Sequence, residues 1–306
     1  MKRYLTYVTI FACIIAVLLA AGEAIVRHYP NSYQYKCEWM DHNASQVKTL
    51  VLGGSHTYYG IIPSELADST FSLANVTQHP EHDYWLLQHY IDNCTHLNTV
   101  ILPVDETNLF EPALADGDEW FRCAYYNIYM GCDLNGSNPI YNLEIANLPT
   151  FNRKFKAALD YALTGQATLD CDSLGFGNGF TVKNAMKGKS LHINAISKAE
   201  RHQGVDSTCI AHNELYLDKT LALCHERGIR VIMVTPPMLK EYTDKVDPQR
   251  FVTLQTIVKK FVAKYGVEYY DNLNDARFQG VDFHDPDHLS VQGAHKYTAI
   301  LKDTIK

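Results

Sequence analysis

The sequence predicts an α/β protein, a three-layer α/β/α sandwich around a mainly parallel five-stranded sheet, interrupted by an inserted segment. Three observations point there. Short apolar runs alternate with stretches of helical periodicity over residues 48–104, in the order β-α-β-α-β. The same alternation resumes at residue 213 and runs to the end. The connections are brief, as they are when helices cover both faces of a parallel sheet.

The first strand is expected at 48–53, an apolar run closed by Gly53-Gly54. A helical stretch at 62–68 follows, with Pro63 suited to a first turn. A short second strand at 71–74 leads to a helix at 81–93, where Tyr84, Leu87, Tyr90 and Ile91 fall at helical spacing. The third strand is expected at 98–104. Residues 111–212 then break the pattern with Asp-Gly-Asp, Asn-Gly-Ser-Asn-Pro and Gly-Phe-Gly-Asn-Gly turns around aromatic clusters, and only 141–163 reads as helical. We read this stretch as an insertion covering one sheet edge. Leu217, Leu221 and Cys224 mark the next helix face, with Gly228 placed to end it. Strand four at 229–234 ends in Thr-Pro-Pro; a helix at 251–265 stops at Gly266; strand five is expected at 267–270. Ser290 can cap a last helix to about residue 302.

Upstream of the sheet, Lys2 and Arg3 precede nineteen uncharged residues, 4–22, enough for a helix to cross a bilayer. The positive flank predicts a cytoplasmic N-terminus and an exported body. Ala20, Ala21, Gly22 and Ala24 would permit cleavage of a signal peptide, but the apolar stretch is long for one, and we read it as an anchor. The expected organisation is an anchor or signal segment at 1–23, a connector at 24–47, and the α/β domain at 48–306 with the insertion at about 111–212. The body is then extracytoplasmic, membrane-anchored, or secreted if the segment is cleaved.

With 27 basic against 34 acidic residues and net charge −7, nothing supports a nucleic-acid partner. Eight cysteines include Cys13 in the apolar segment, and the remaining seven cannot all pair within one chain. Cys123 and Cys132 are close enough to staple a loop, whereas Cys224 reads as core. The glycosylation triplet occurs at Asn43, Asn75, Asn93 and Asn135.

Ligands of open α/β sheets bind beyond the carboxyl ends of the strands. Ser55 follows strand one, Asn75 strand two, and Asp285 and His288 strand five, so all face one rim. A serine hydroxyl needs a base to take its proton and a carboxylate to hold the resulting imidazolium. Asp285 and His288, three apart in a turn before a helix, can supply both.

Gly53-Gly54-Ser55-His56 resembles the first block of the SGNH (GDSL-like) hydrolase superfamily, usually Gly-Asp-Ser, and Asp285-Pro286-Asp287-His288 its last block, Asp-x-x-His. Together with Thr-Pro-Pro after strand four and His-Leu-Ser-x-x-Gly-Ala, they are similar to the exported branch containing alginate-type O-acetyltransferases and D-alanyl transfer proteins. The resemblance covers about residues 48–110 and 213–306. It implies a flavodoxin-like fold, with Ser55 as nucleophile, His288 as general base and Asp285 as its orienting partner. Gly54 stands where the family usually has Asp, and the middle blocks have no match. The oxyanion hole is therefore expected from the Ser55 N–H and the Asn75 side chain, with Asn108 a weaker donor.

Other readings compete. Asp282, His284, Asp285, Asp287 and His288 could suggest a metal, but Pro286 opposes a helical His pair, and no metal or cofactor is expected. His56 is expected to pack or line the mouth, and Tyr58 and Tyr59 to stack on a sugar or fill the layer under a helix. The function expected is an extracytoplasmic serine esterase or O-acyltransferase using a Ser-His-Asp triad. Its substrate would be an acyl ester, chiefly O-acetyl groups of a cell-surface polysaccharide. The alternative is a non-catalytic glycan-binding or assembly protein on the same scaffold.

Overall fold

The computed structural model describes residues 1–134 and 138–305; the Asn135 triplet lies outside them. The helices before the sheet are α1 (Lys2–Arg27) and α2 (Ser32–Asn43). Then come β1 (Thr49–Val51), α3 (Ser55–Tyr58), α4 (Pro63–Leu66), β2 (Thr70–Ser72), α5 (Pro80–Tyr90) and β3 (Thr99–Pro103). Short helical turns and α6 (Cys123–Tyr125) precede α7 (Leu148–Thr164), α8 (Lys189–Arg201) and α9 (Ser207–Glu226). The chain finishes with β4 (Arg230–Thr235), α10 (Lys240–Thr243), α11 (Pro248–Tyr265), β5 (Glu268–Asp271) and α12 (Val291–Thr304).

All five strands are parallel, in the order β2-β1-β3-β4-β5. That order is the flavodoxin-like one, whose ligand crevice opens at the carboxyl edge of the sheet. Because strand side chains alternate faces, Val51, Ile101 and Ile232 form one in-register row and Leu50, Val100 and Val231 the opposite row. The first row packs on Leu289, Tyr297 and Leu301 of the α12 region. On the other face, α9 packs against α5, α11 and β4. Both faces are covered, which gives three layers.

The chain divides into two compact units, one of Met1–Cys37 with Glu119–Leu169, the other of Glu38–Asp118 with Asp170–Lys306. In the first, α1 is long and apolar enough to cross a membrane, about 39 Å at 1.5 Å per residue. Its last turns are buried: Glu23 accepts the backbone N–H of Glu144 and Ile145, each at 2.9 Å, and the Arg27 Nε–H at 2.8 Å. The Lys154 ammonium sits 3.6 Å from the Tyr125 ring centre and 2.6 Å from Glu144.

Several boundaries differ from the sequence expectation, each for a local reason. The connector is largely helical, since Asn31 accepts the Gln34 N–H and starts α2, whose Trp39 stacks on Phe71 of β2 at 3.8 Å. The α9 helix begins six residues early because Asp206 caps it, accepting the Thr208 N–H at 2.8 Å. The expected helix at 141–163 is two short 3-10 turns followed by α7, which Asn147 caps. The irregular 111–212 stretch is shared between the units, and its Leu174 carbonyl accepts the Ser72 N–H on the β2 edge at 2.9 Å.

Ile232 is fully buried on the interior strand β4. Ile232→Ala is expected to cost about 2–5 kcal/mol, read as a lower urea midpoint with an unchanged slope. An unchanged midpoint would mean that this row is not the core.

Candidate active site

Ser55 owes its position to two glycines and a buried carboxylate. Gly53 adopts φ +107°, and a Cβ there would stand 2.1 Å from Pro103 Cγ, so only glycine fits the turn leaving β1. The Gly53 N–H donates to Asp83 Oδ1 at 2.8 Å, and the Gly53 carbonyl accepts the Asn75 N–H at 3.1 Å. Asp83 also accepts the Gln78 amide at 2.6 Å. Burial pushes its carboxyl up to about 7, against the pull of the Gln78 and Gly53 donors. Downstream, a Cβ on Gly60 would meet the His56 carbonyl at 2.2 Å, so the short α3 is pinned at both ends. Ser55 thus opens a helical first turn, and among the described residues neither its N–H nor that of His56 has a backbone acceptor.

The loop after β5 supplies Asp285 and His288. Asp285 Oδ1 accepts the N–H of Asp287 at 3.2 Å and of His288 at 3.0 Å, closing a tight turn. Phe283 pairs with Leu289 across it, and Ser290 caps α12 by accepting the Gly293 N–H. His288 Nε2 lies 2.7 Å from Ser55 Oγ. On the other side of the ring, Nδ1 is 2.9 Å from Asp285 Oδ1 and 3.1 Å from its Oδ2. Nδ1 is also 3.0 Å from Asp287 Oδ1. With Nδ1 protonated toward the carboxylates, Nε2 is left to accept the Ser55 hydroxyl hydrogen. Burial lowers the affinity of His288 for a proton, but Asp287 and Asp285 outweigh it, and its pKa is raised.

Around Ser55, His288 and Asp285 lies a charge network that the sequence reading missed. The Lys198 ammonium, from α8, pairs with Asp287 and stands 3.6 Å from Asp285 Oδ1. Asp287 is buried, and although burial opposes ionisation, His288 and Lys198 hold its carboxyl well below the usual range. His56 Nδ1 is 3.0 Å from Asp105 Oδ2, and its buried Nε2, without a hydrogen-bond partner among the described residues, is 3.7 Å from Asp287 Oδ2. Burial would lower the His56 pKa, yet Asp105 and Asp287 carry it to about 10. The same pairing, against burial, holds Asp105 down at about 2. Asp105 follows β3 directly, so the rule that selected Ser55 and His288 would have found it. Lys198 carried no such signal, lying in the irregular stretch.

Other expectations fare differently. Asn75 does lie on the same rim, but it is buried and its amide donates to the Leu73 carbonyl and Gln78 Oε1, at 3.2 and 3.3 Å. Its side chain shapes its own loop, and neither a free oxyanion donor nor an accessible glycan acceptor stands there. Asn108 is likewise committed, donating to the Pro103 carbonyl and accepting the Asp105 N–H. His56 packs, as expected, but as a buried ion-pair partner. Tyr58 is buried with its hydroxyl on the Asp170 carbonyl and fills the layer, whereas the half-buried Tyr59 stacks on Phe180 at 3.7 Å. Of the metal-like cluster, Asp282 pairs with Lys296 at 2.6 Å and His284 stacks on Phe180 at 3.8 Å. His56, Asp287 and His288 bring ligand-type atoms within 4.8 Å, but the contacts above make them parts of a hydrogen-bonded charge network.

No family model matches this chain, and no curated protein does. Among solved structures, a chain from Streptococcus pneumonia carrying the provisional name platelet activating factor aligns over 97% of this chain and 99% of its own. The identity is 9% and the TM-score 0.41, a distant likeness that bears on neither activity nor substrate.

If His56 is cationic as described, its stabilising contribution is full below about pH 6.5, the unfolded value, and is lost as pH rises through about 10. The difference in urea midpoint between the wild type and His56→Gln should therefore shrink over that window. A difference independent of pH would show that the ring packs as a neutral group.

Proposed function

We propose that this protein is a membrane-anchored, extracytoplasmic serine esterase or O-acyltransferase of SGNH type. The observation that carries this reading is the 2.7 Å approach of His288 Nε2 to Ser55 Oγ, with a carboxylate on the opposite ring nitrogen.

His288 takes the hydroxyl proton as Ser55 Oγ attacks the ester carbonyl carbon, and the carbonyl electrons move to oxygen. The Ser55 N–H, at the start of α3, is a donor for that oxyanion. Collapse expels the alcohol, which takes the proton from His288 Nε2, and leaves acyl-Ser55. Water or an acceptor hydroxyl then gives its proton to His288 and attacks the acyl carbon; the second collapse returns the proton to Ser55. Water makes an esterase and a sugar hydroxyl makes a transferase.

Anchoring is supported by α1, with Lys2 and Arg3 on the cytoplasmic side and the sheet domain exported. O-acetyl groups of a cell-surface polysaccharide are the substrate that the two-block resemblance suggests.

Acetate release from an acetylated glycan or an activated acetyl ester tests the reading. Ser55→Ala should lower turnover by at least about a thousandfold with the fold retained, and added acceptor sugar should divert acetyl from water if the enzyme is a transferase. Undiminished turnover in that variant would remove Ser55 as nucleophile. Since the His288 pKa is raised, activity should climb with pH through a midpoint above 6.5, followed as kcat/KM against pH.

A further inference from the structure

A serine triad needs one carboxylate on the base, and here two share one ring nitrogen. His288 Nδ1 carries a single hydrogen, yet Asp285 Oδ1 and Asp287 Oδ1 stand 2.9 and 3.0 Å from it. Two anions so close would bind the proton of an imidazolium tightly and make a poor base at neutral pH. The only ammonium or guanidinium paired with either carboxylate, among the described residues, is Lys198, which reaches both. It comes from α8, outside the segments that carry the nucleophile and base.

We propose that Lys198 is a positioning residue that sets the proton affinity of His288 by neutralising the Asp285–Asp287 pair, and that Asp287 acts as a second orienting carboxylate. The inference rests on Ser55 and His288 being the reacting pair. Asp287 is the better buried of the two, its side chain 2% exposed against 16% for Asp285. It is therefore less screened by solvent, and Lys198 acts on His288 chiefly through it.

The remaining charged and titratable neighbours are consistent with a balanced site. From α3, His56 faces the far oxygen of Asp287. After β3, Asp105 pairs with His56, while Glu106, pushed up to about 7 by burial against the pull of the Tyr242 hydroxyl, faces Asp287 and His56 more remotely. His202 of α8–α9 and His284 of the same loop as the base are both held neutral, their pKa values lowered mainly by burial. Among the directly paired groups, Asp105, Asp285 and Asp287 stand against His56 and Lys198, one net negative charge with Glu106 left out of the count. The proton that His288 takes from Ser55 offsets that charge. Without Lys198 the cluster keeps a second negative charge, and His288 holds its proton to higher pH.

The test is the titration of His288, read in the full chain by NMR of labelled histidine and, in parallel, as the acid limb of kcat/KM. Lys198→Met should move the midpoint up by about one pH unit or more, Lys198→Arg should restore it, and Asp287→Asn should move it down. A merely structural tie would lower rate or stability and leave the midpoint in place in all three, which overturns the proposal. Should Lys198→Met fail to fold, the downward movement in Asp287→Asn decides. The NMR titration needs no turnover. An inactive enzyme with the expected shifts would therefore contradict the esterase reading while leaving the charge coupling intact.

Discussion

Everything at this site depends on where α12 docks. In the strand order β2-β1-β3-β4-β5, the strand preceding Ser55 and the strand preceding His288 are separated by β3 and β4. The chain after β5 must therefore run back across the rim before it can meet Ser55. It does so because α12 belongs to the β1 side: Tyr297 and Leu301 pack with Val51, Ile61 and Leu66, and the Thr298 hydroxyl accepts the Ile62 N–H at 2.9 Å. The approach is also close at the backbone, where a Cβ on Gly293 would strike the Asp282 carbonyl at 2.0 Å. Hydrophobic docking of the last helix thus brings the His288 imidazole to a hydroxyl 233 residues away.

That juxtaposition was legible in the sequence only as a rule about rims. Alternation of apolar runs and amphipathic stretches was enough to place five strands and to put Ser55, Asp285 and His288 at the same edge. The turn chemistry was legible too, since Gly53, Gly228 and Gly266 each stand where φ is positive. Caps made by side chains outside the apolar periodicity were not. Asn31, Asn147 and Asp206 lengthened or created helices in regions that composition alone described as connector or insertion.

Buried polar partners were the least legible part of the site. A sequence marks a residue as polar but not as buried, and Asn75 illustrates the cost: its position after β2 was right for a donor, while its amide is taken by Leu73 and Gln78. Asp83, Asp105 and Lys198 carry opposite lessons. Each holds a neighbour of Ser55 and His288 from a different element, through the Gly53 N–H, the His56 ring and the Asp287 carboxylate. Buried charges are costly unless paired, so such groups come as a network or not at all. The network here spans α3, the loop after β3, α8 and the loop before α12.

The most direct measurement of the central claim is covalent. A fluorophosphonate should add once to the intact chain, peptide mapping should place the adduct on Ser55, and His288→Gln should abolish it while leaving the fold in place. Labelling of another side chain, or undiminished labelling of Ser55 without His288, would contradict a hydroxyl activated by that imidazole.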